Sequence, residues 1–114
     1  MATPSRPAET DVARVRRYCQ HRVPPHARDQ VALETVVRGS AITIIERRAP
    51  WREDFGPEWS RLKVAQLRYD HGSWTLHWAD RNSRWLRYPD LEPSPRLDDL
   101  LTEIDRDPAG AFWG

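Results

Sequence analysis

Near the start of the chain, apolar residues recur every three to four positions, which predicts an amphipathic helix. Its apolar face carries Val12, Val15 and Cys19. We expect the helix to begin after Thr10, which is a common N-cap residue type, and to end before the proline pair at positions 24 and 25. Residues 1–9 show no such period. The chain is therefore predicted to comprise a flexible tail over residues 1–9 and one domain over residues 10–114.

Residues 31–48 follow a period of two, which is typical of strands with one buried face. A glycine–serine pair at positions 39 and 40 provides a tight turn, so that Val37 lies opposite Ile42. The same pairing places Leu33 opposite Glu46, at the edge of the apolar face. A first hairpin is therefore predicted over residues 31–48.

Residues 62–88 predict two further hairpins that share a central strand, with turns at His71-Gly72 and Arg81-Asn82. The apolar face of this region then carries Ala65, Leu67, Tyr69, Trp74, Leu76, Trp78 and Trp85. Its reverse face carries Gln66, Arg68, Thr75, His77, Arg84 and Leu86. Because both turns give one coherent aromatic face, we expect that face to be a Trp-rich core.

A second helix is predicted after Ser94, an N-cap residue type followed by proline, with Leu97, Leu100 and Ile104 on one side. The order is thus helix, about five strands, helix, with connections too short for parallel crossovers. This order predicts an α+β fold, in which an antiparallel sheet is flanked by an N-terminal and a C-terminal helix. The aromatic residues of the long loop over residues 49–60 are expected to pack on the body, as is the C-terminal Phe112-Trp113 pair.

The formal net charge of +1 argues against a surface coated uniformly for nucleic acid or membrane. The first 52 residues nevertheless carry ten Arg against five acidic residues, and the remainder carries eight basic against twelve acidic residues. Such a dipole can steer a polyanion or a protein partner, although ordinary solvated surface explains it better. A single Cys, no apolar run near ~20 residues and no signal-peptide pattern at the start favour a cytoplasmic protein without a membrane partner.

Glu46 and Arg48 share a strand face at the rim of the predicted core. In restriction-nuclease-like sites, acidic residues on adjacent strands hold a divalent metal beside a cation, so Glu34, Glu46 and Arg48 suggest a metal-dependent phosphodiesterase. The predicted pairing, however, puts Glu34 on the opposite face from Glu46, and Arg cannot give up a proton at ordinary pH. A structural ion pair, with Arg28 or Lys63 as the candidate partner, explains Glu46 better.

Other catalytic or metal-binding sets are incomplete. Cys19, His21 and His26 lack a fourth ligand for tetrahedral zinc, and His71 and His77 complete no set. The sequence contains neither a nucleophile elbow nor a glycine-rich phosphate loop. We therefore expect no metal and no cofactor, and an enzymatic role is not favoured.

Several motifs run in order along the chain from about Tyr18 onward. They are Pro24-Pro25-His26-Ala27-Arg28, Ile45-Glu46-Arg47-Arg48-Ala49-Pro50-Trp51, Trp74-Thr75-Leu76-His77-Trp78, Arg84-Trp85-Leu86-Arg87-Tyr88, Glu103-Ile104-Asp105-Arg106-Asp107-Pro108 and Phe112-Trp113-Gly114. In these residues the chain resembles an uncharacterised bacterial family, the domain of unknown function numbered 3024. It departs from that family at Ala49, because members often have proline directly after the second arginine of this motif. It also departs at Leu86, where many members have His. The resemblance implies a small bacterial protein and brings no activity with it.

The sequence thus favours a small non-enzymatic binding module whose partner is a protein or a nucleic acid. Aromatic residues interleaved with Arg can stack on single-stranded bases, although the predicted pairing favours a core role for the Trp residues. A homodimer through the reverse face is a third possibility, because Val36, Ile45, Val64 and Leu86 would make that face partly apolar. The candidate binding residues are Arg28, Glu46, Arg48, Trp51, Arg68, His77 and Arg84.

Overall fold

The computed structural model describes residues 6–114, and these residues form the predicted α+β arrangement of two helices and five strands. The elements are α1 (Glu9–Arg22), β1 (Val31–Arg38), β2 (Ala41–Arg48), β3 (Ser60–Asp70), β4 (Ser73–Ala79), β5 (Trp85–Arg87) and α2 (Leu97–Arg106). The strands form one antiparallel sheet in the order β1-β2-β3-β4-β5. Most of the tail predicted over residues 1–9 lies outside the described residues, whereas Pro7 is buried and Glu9 begins α1.

Both helices pack on one face of the sheet, where the predicted apolar residues meet. The core contains Val12, Val15 and Cys19 from α1, Leu97, Leu100, Leu101 and Ile104 from α2, and Ile42, Ile44, Ala65, Leu67, Trp74 and Leu76 from the strands. Removing side chains of this size from water is the main stabilising contribution to such a fold. None of the described helices is long and apolar enough to cross a membrane.

The two helices begin at other residues than the sequence predicted. Ala8, not Thr10, is the residue before the first turn of α1, and no side chain caps that helix. α2 begins after Arg96 and not after Ser94, because the backbone of Ser94 exchanges hydrogen bonds of 2.7 and 3.0 Å with Trp74 of β4. That bridge holds Ser94 extended at the edge of the sheet, so the helix starts two residues later.

The strand pairing follows the sequence prediction in the first two hairpins. Val37 pairs with Ile42 and Leu33 with Glu46, as the turn at positions 39 and 40 requires. β3 contains a bulge that was not predicted: Ile44 pairs with Ala65 but Ile45 pairs with Lys63. Val64 is the extra residue, and it is only 1% exposed within the core instead of lying on the reverse face.

The predicted pairing of β4 with β5 is wrong by one residue. We expected Trp78 opposite Trp85, whereas Trp78 pairs with Leu86 and Ala79 pairs with Trp85. The reason is the turn, in which the N–H of Asp80 donates to the carbonyl of Arg84 at 2.9 Å and so encloses three residues, not two. Since a slip of one residue exchanges the two faces of a strand, Trp85 lies on the reverse face and Leu86 on the helix side.

The loop between β2 and β3 extends past the ends of these strands. Trp51 is 81% exposed and Phe55 is 58% exposed, so the prediction that they pack on the body is wrong. The two rings contact one another instead, with centroids 5.4 Å apart, and the guanidinium of Arg52 lies over both. The other aromatic prediction is confirmed, because Phe112 is buried and its ring lies 5.2 Å from that of Tyr88.

Candidate functional site

The face of the sheet that points away from α1 and α2 is the reverse face, and the pairing of the strands defines its rows. One row crosses the sheet through Arg38, Ala41, Arg68 and Thr75. The next row runs through Val36, Thr43, Gln66, His77 and Arg87. Below it lie Glu34, Ile45 and Lys63, then Ala32, Arg47 and Arg61, while Ala79 and Trp85 complete the face at its other edge.

The reverse face is strongly basic. Its paired residues include six basic side chains, all in exposed positions: Arg38, Arg47, Arg61, Lys63, Arg68 and Arg87. Against these stand two acidic residues, Glu34 and Asp70, and Glu34 lies 3.5 Å from Arg61. Arg47 is directly opposite Arg61, an arrangement of like charges that destabilises an antiparallel pair. This face therefore retains a positive charge at some cost to folding.

The helix side of the molecule has a different charge pattern. There the basic residues of α1 lie next to acidic residues of α2, with Arg14 at 3.4 Å from Asp98 and Arg22 at 3.2 Å from Asp105. These exposed pairs contribute little to stability, roughly 0–1 kcal/mol each. They offset part of the positive charge of α1, since Arg14 and Arg22 each have an acidic partner.

A groove of about 410 Å³ crosses the reverse face next to Trp85. Val36, Ile45, Leu62 and Trp85 supply its apolar surface, and its basic side chains are Arg38, Arg61 and Lys63. The ammonium of Lys63 lies 5.4 Å from the centroid of the Trp85 ring, within the range of a cation–π contact. It also donates to the carbonyl oxygen of Ser83 at 2.7 Å, which links β3 to the β4–β5 turn.

A short chain of hydrogen bonds orients the polar side chains of the face. Arg68 Nε donates to Gln66 Oε1 at 2.7 Å, and Gln66 Nε2 donates to Thr43 Oγ1 at 3.0 Å. Because the arginine side chain can only donate, the carbonyl oxygen of Gln66 faces Arg68 and its NH₂ group faces Thr43. Both Gln66 and Thr43 line the groove.

His77 lies in the middle of the same face but is only 8% exposed. Burial lowers its pKa to about 4, and the positive charges of Arg68 and Arg87 act in the same direction. In the described part of the chain, its Nδ1 atom is buried without a hydrogen-bond partner. His77 is therefore neutral at pH 7 and supplies polarity, not charge, to the reverse face.

Glu46 and Arg48 form an ion pair on the helix side, with Arg48 Nε 2.6 Å from Glu46 Oε1. The Glu46 side chain is 12% exposed and that of Arg48 is 63% exposed, beside a cavity of about 240 Å³ that Arg22 and Trp113 also line. Glu34 points from the opposite face of the sheet, because it pairs with Ile45. Within residues 6–114 there is no group of three His, Cys, Asp or Glu side chains that could hold a metal ion.

The structure separates the remaining candidates. Arg28 is exposed just after the 3₁₀ turn Pro25–Ala27, and Trp51 lies in the β2–β3 loop. Arg84 was expected on the reverse face, but it lies in the β4–β5 turn with its Nε 3.4 Å from Asp80. Of the seven candidates, only Arg68 and His77 belong to the reverse face.

Sequence reasoning missed the residues that make the reverse face a distinct surface, namely Arg38, Arg61, Lys63 and Trp85 together. Trp85 was assigned to the core because a two-residue turn was assumed. One signal in the sequence points to the longer turn, since an Asp at its first position can accept backbone N–H groups further on. In the structure Asp80 Oδ1 accepts from the N–H groups of Asn82 and Arg84, at 2.8 and 2.9 Å.

Comparison with known proteins gives one match. The family model described as Domain of unknown function (DUF3024) matches residues 3–114. No curated protein matches the chain, and no solved structure matches it. Its function must therefore be argued from its own residues.

Proposed function

The chain belongs to the DUF3024 family, a domain of unknown function, and we propose that it is a non-enzymatic module that binds single-stranded nucleic acid on its reverse face. One observation carries the proposal: the paired residues of that face present six exposed basic side chains against two acidic ones. Contacts between basic side chains and phosphates supply much of the affinity of proteins for nucleic acids. The β3 strand alone contributes Arg61, Lys63 and Arg68, which span roughly 20 Å at ~3.3 Å per residue.

The charge of the face favours a polyanion over a second copy of the chain. A symmetric dimer through the reverse face would bring two sets of basic side chains together, and such contacts between like charges are unfavourable. Two of the four apolar residues that suggested this dimer are elsewhere: Val64 is in the core and Leu86 is on the helix side. The remaining two, Val36 and Ile45, lie within the groove.

The aromatic content of the face favours a single strand over a duplex. Proteins bind single strands without sequence preference by combining a basic surface with aromatic rings on which unpaired bases stack. Trp85 is the aromatic side chain of the reverse face, and it lies among the basic residues. In a duplex the bases are already stacked on one another, so such a ring has no base to contact.

Fluorescence anisotropy of labelled 12-mers of deoxythymidine and of uridine tests the proposal. If the face neutralises four to six phosphates, the slope of log K against log salt is about −3 to −4. Raising the salt from 50 to 200 mM should then weaken binding roughly 50- to 300-fold. A duplex of the same length should bind more weakly than the single strand. No binding of either strand at 50 mM salt would rule the proposal out.

Matched variants locate the binding surface. Arg47→Gln with Arg61→Gln removes two charges from the reverse face, and Arg16→Gln with Arg17→Gln removes two exposed charges from α1. The first pair should reduce affinity at 50 mM salt by roughly tenfold for each phosphate that is no longer neutralised. It should change stability little, because the loss of the exposed Arg61–Glu34 ion pair is offset by removal of the repulsion between Arg47 and Arg61. The α1 pair should reduce affinity less than threefold. Equal losses from the two double variants would show that binding reflects net charge and not this face.

A further inference from the structure

We propose that the groove beside Trp85 holds one unstacked base of the bound strand, with a preference for the keto groups of uracil or thymine. This inference rests on the proposed function and identifies the part of the ligand that the groove contacts. The volume of about 410 Å³ lies within the range of small-molecule sites, roughly 300–1,000 Å³. Its mixture of apolar surface and basic rim fits a flat ring attached to a phosphate.

The position of Trp85 makes its ring available to a base. The three-residue β4–β5 turn places Trp85 directly opposite Ala79, so its cross-strand neighbour is a small side chain. The ring is half-buried and lines the groove together with Val36 and Ile45. The ammonium of Lys63 lies over the ring, 5.4 Å from its centroid, so one face of the ring carries this cation and a base would stack on the other face.

The base and its phosphate would have separate contacts. Arg38 and Arg61 line the groove, and both are exposed at its rim, where a phosphate of the same nucleotide can reach them. Stacking on Trp85 would take place on the apolar surface between them. A nucleotide, with its flat base and its negatively charged phosphate, therefore matches the groove in both shape and charge.

The hydrogen-bonding groups of the groove are mainly donors. Gln66 turns its NH₂ group toward Thr43, because Arg68 holds its carbonyl oxygen on the other side. One N–H of that group bonds to Thr43 Oγ1, which leaves the second N–H and the Thr43 hydroxyl proton to donate elsewhere. Two donors suit the carbonyl oxygens of uracil or thymine better than the exocyclic amine of adenine.

Anisotropy with an abasic strand tests the inference directly on the wild-type protein. A 12-mer of uridine and a 12-mer of abasic sites carry the same phosphates, so only the first can place a base in the groove. Stacking on one aromatic ring corresponds to roughly a 5- to 150-fold gain, so we expect the uridine strand to bind at least fivefold more tightly. A uridine 12-mer should also bind more tightly than an adenosine 12-mer.

Three variants assign these preferences to residues. Trp85→Ala should remove the advantage of bases over abasic sites, while Trp85→Phe should keep part of it. Trp51→Ala is the matched control, because Trp51 is an 81% exposed ring on the β2–β3 loop, and it should change nothing. Gln66→Leu should remove the preference for uridine over adenosine and leave the advantage over abasic sites.

The failure of the inference is distinct from the failure of the proposed function. If wild type binds the uridine and abasic strands equally, and binding weakens with salt, the groove holds no base but the reverse face still binds phosphates. The same conclusion follows if Trp51→Ala and Trp85→Ala have equal effects. If no strand binds at 50 mM salt, both proposals are wrong.

Discussion

Asp107 is expected to contribute strongly to stability, because it connects the end of α2 to the C-terminal residues. Its backbone is in the left-handed conformation, with φ at 43°. Its carboxylate accepts the N–H of Phe112 at 3.1 Å and that of Trp113 at 2.9 Å. These bonds place the indole N–H of Trp113 2.9 Å from the carbonyl of Ile104 and bury Phe112 in the core.

Replacing Asp107 separates two contributions. Asp107→Ala loses two hydrogen bonds, each about 1 kcal/mol, and places a β-carbon in a conformation that costs Ala roughly 1–2 kcal/mol. We therefore expect a loss of about 3 kcal/mol. Asp107→Gly loses the same hydrogen bonds but tolerates the conformation, so its loss should be about 2 kcal/mol or less. Asp107→Asn keeps one acceptor oxygen and also tolerates the conformation, so about 1 kcal/mol is expected.

Urea unfolding followed by circular dichroism measures these losses. The predicted order of destabilisation is Ala, then Gly, then Asn. In a thermal scan the Ala variant should melt on the order of 10 °C below wild type, at about 4 °C per kcal/mol for a domain of this size. If Gly were as damaging as Ala, the conformational argument would be wrong. If all three variants stayed within 0.5 kcal/mol of wild type, the C-terminal contacts would contribute nothing measurable.

Three further predictions concern buried or paired side chains. The pKa of His77 is lowered to about 4 in the folded protein, against 6.5 for a free His, so the unfolded chain binds the proton at the higher pH. The free energy of unfolding should therefore be level above pH 6.5 and fall by up to about 3 kcal/mol by pH 4. Unfolding of His77→Gln, measured against pH, should lack this decrease. Calorimetry with Mg²⁺ or Mn²⁺ should show no binding heat for wild type or for Glu46→Gln, and a heat that the variant abolishes would support the metal site. The free energy of unfolding of Glu46→Gln should be lower by at most about 1 kcal/mol, because Arg48, the partner of Glu46, is 63% exposed. Burial raises the pKa of the Cys19 thiol and shields it from reagents. A thiol reagent should therefore label Cys19 at pH 7 only as fast as the protein unfolds. Immediate labelling of the folded protein would contradict the burial.

Local patterns predicted the parts of the fold that a single turn determines. The turn at positions 39 and 40 fixed the pairing of β1 with β2, and the turn at His71-Gly72 fixed that of β3 with β4. In the second turn both residues have positive φ, 49° and 80°, as a two-residue hairpin turn requires. Where the sequence contains a glycine turn of this kind, the distribution of side chains between the two faces could be worked out in advance.

Two features that shape the candidate site, the bulge in β3 and the three-residue β4–β5 turn, could not be predicted from the alternation of apolar and polar residues. The bulge at Val64 turns that side chain into the core, and no glycine in the sequence marks its position. The β4–β5 turn has Ser83 with φ at 60°, where a glycine would have indicated the longer loop. Because of this error of one residue, Trp85 was predicted to lie in the core, whereas the structure places it on the reverse face. The aromatic ring of that surface was therefore not identified from the sequence.

Some of the motif residues that carry the resemblance to the family hold the C-terminal part of the fold together. Tyr88 donates to Glu103 at 2.8 Å, and Asp107 holds Phe112 and Trp113, all on the helix side of the sheet. These contacts hold α2 and the C-terminus against β4 and β5. Among the described residues neither helix covers the reverse face, and its basic side chains are exposed.

The most direct test is the response of the tryptophan indole N–H signals in a ¹H–¹⁵N NMR spectrum when a uridine 12-mer is added. The chain has six Trp residues, and Trp85 is the one on the reverse face. Its signal should shift progressively with added strand, whereas the signals of exposed Trp51 and of Trp113, hydrogen-bonded to Ile104, should stay in place. Binding that moves Trp51 or Trp113 and leaves Trp85 unchanged would contradict the assignment of the reverse face as the binding surface.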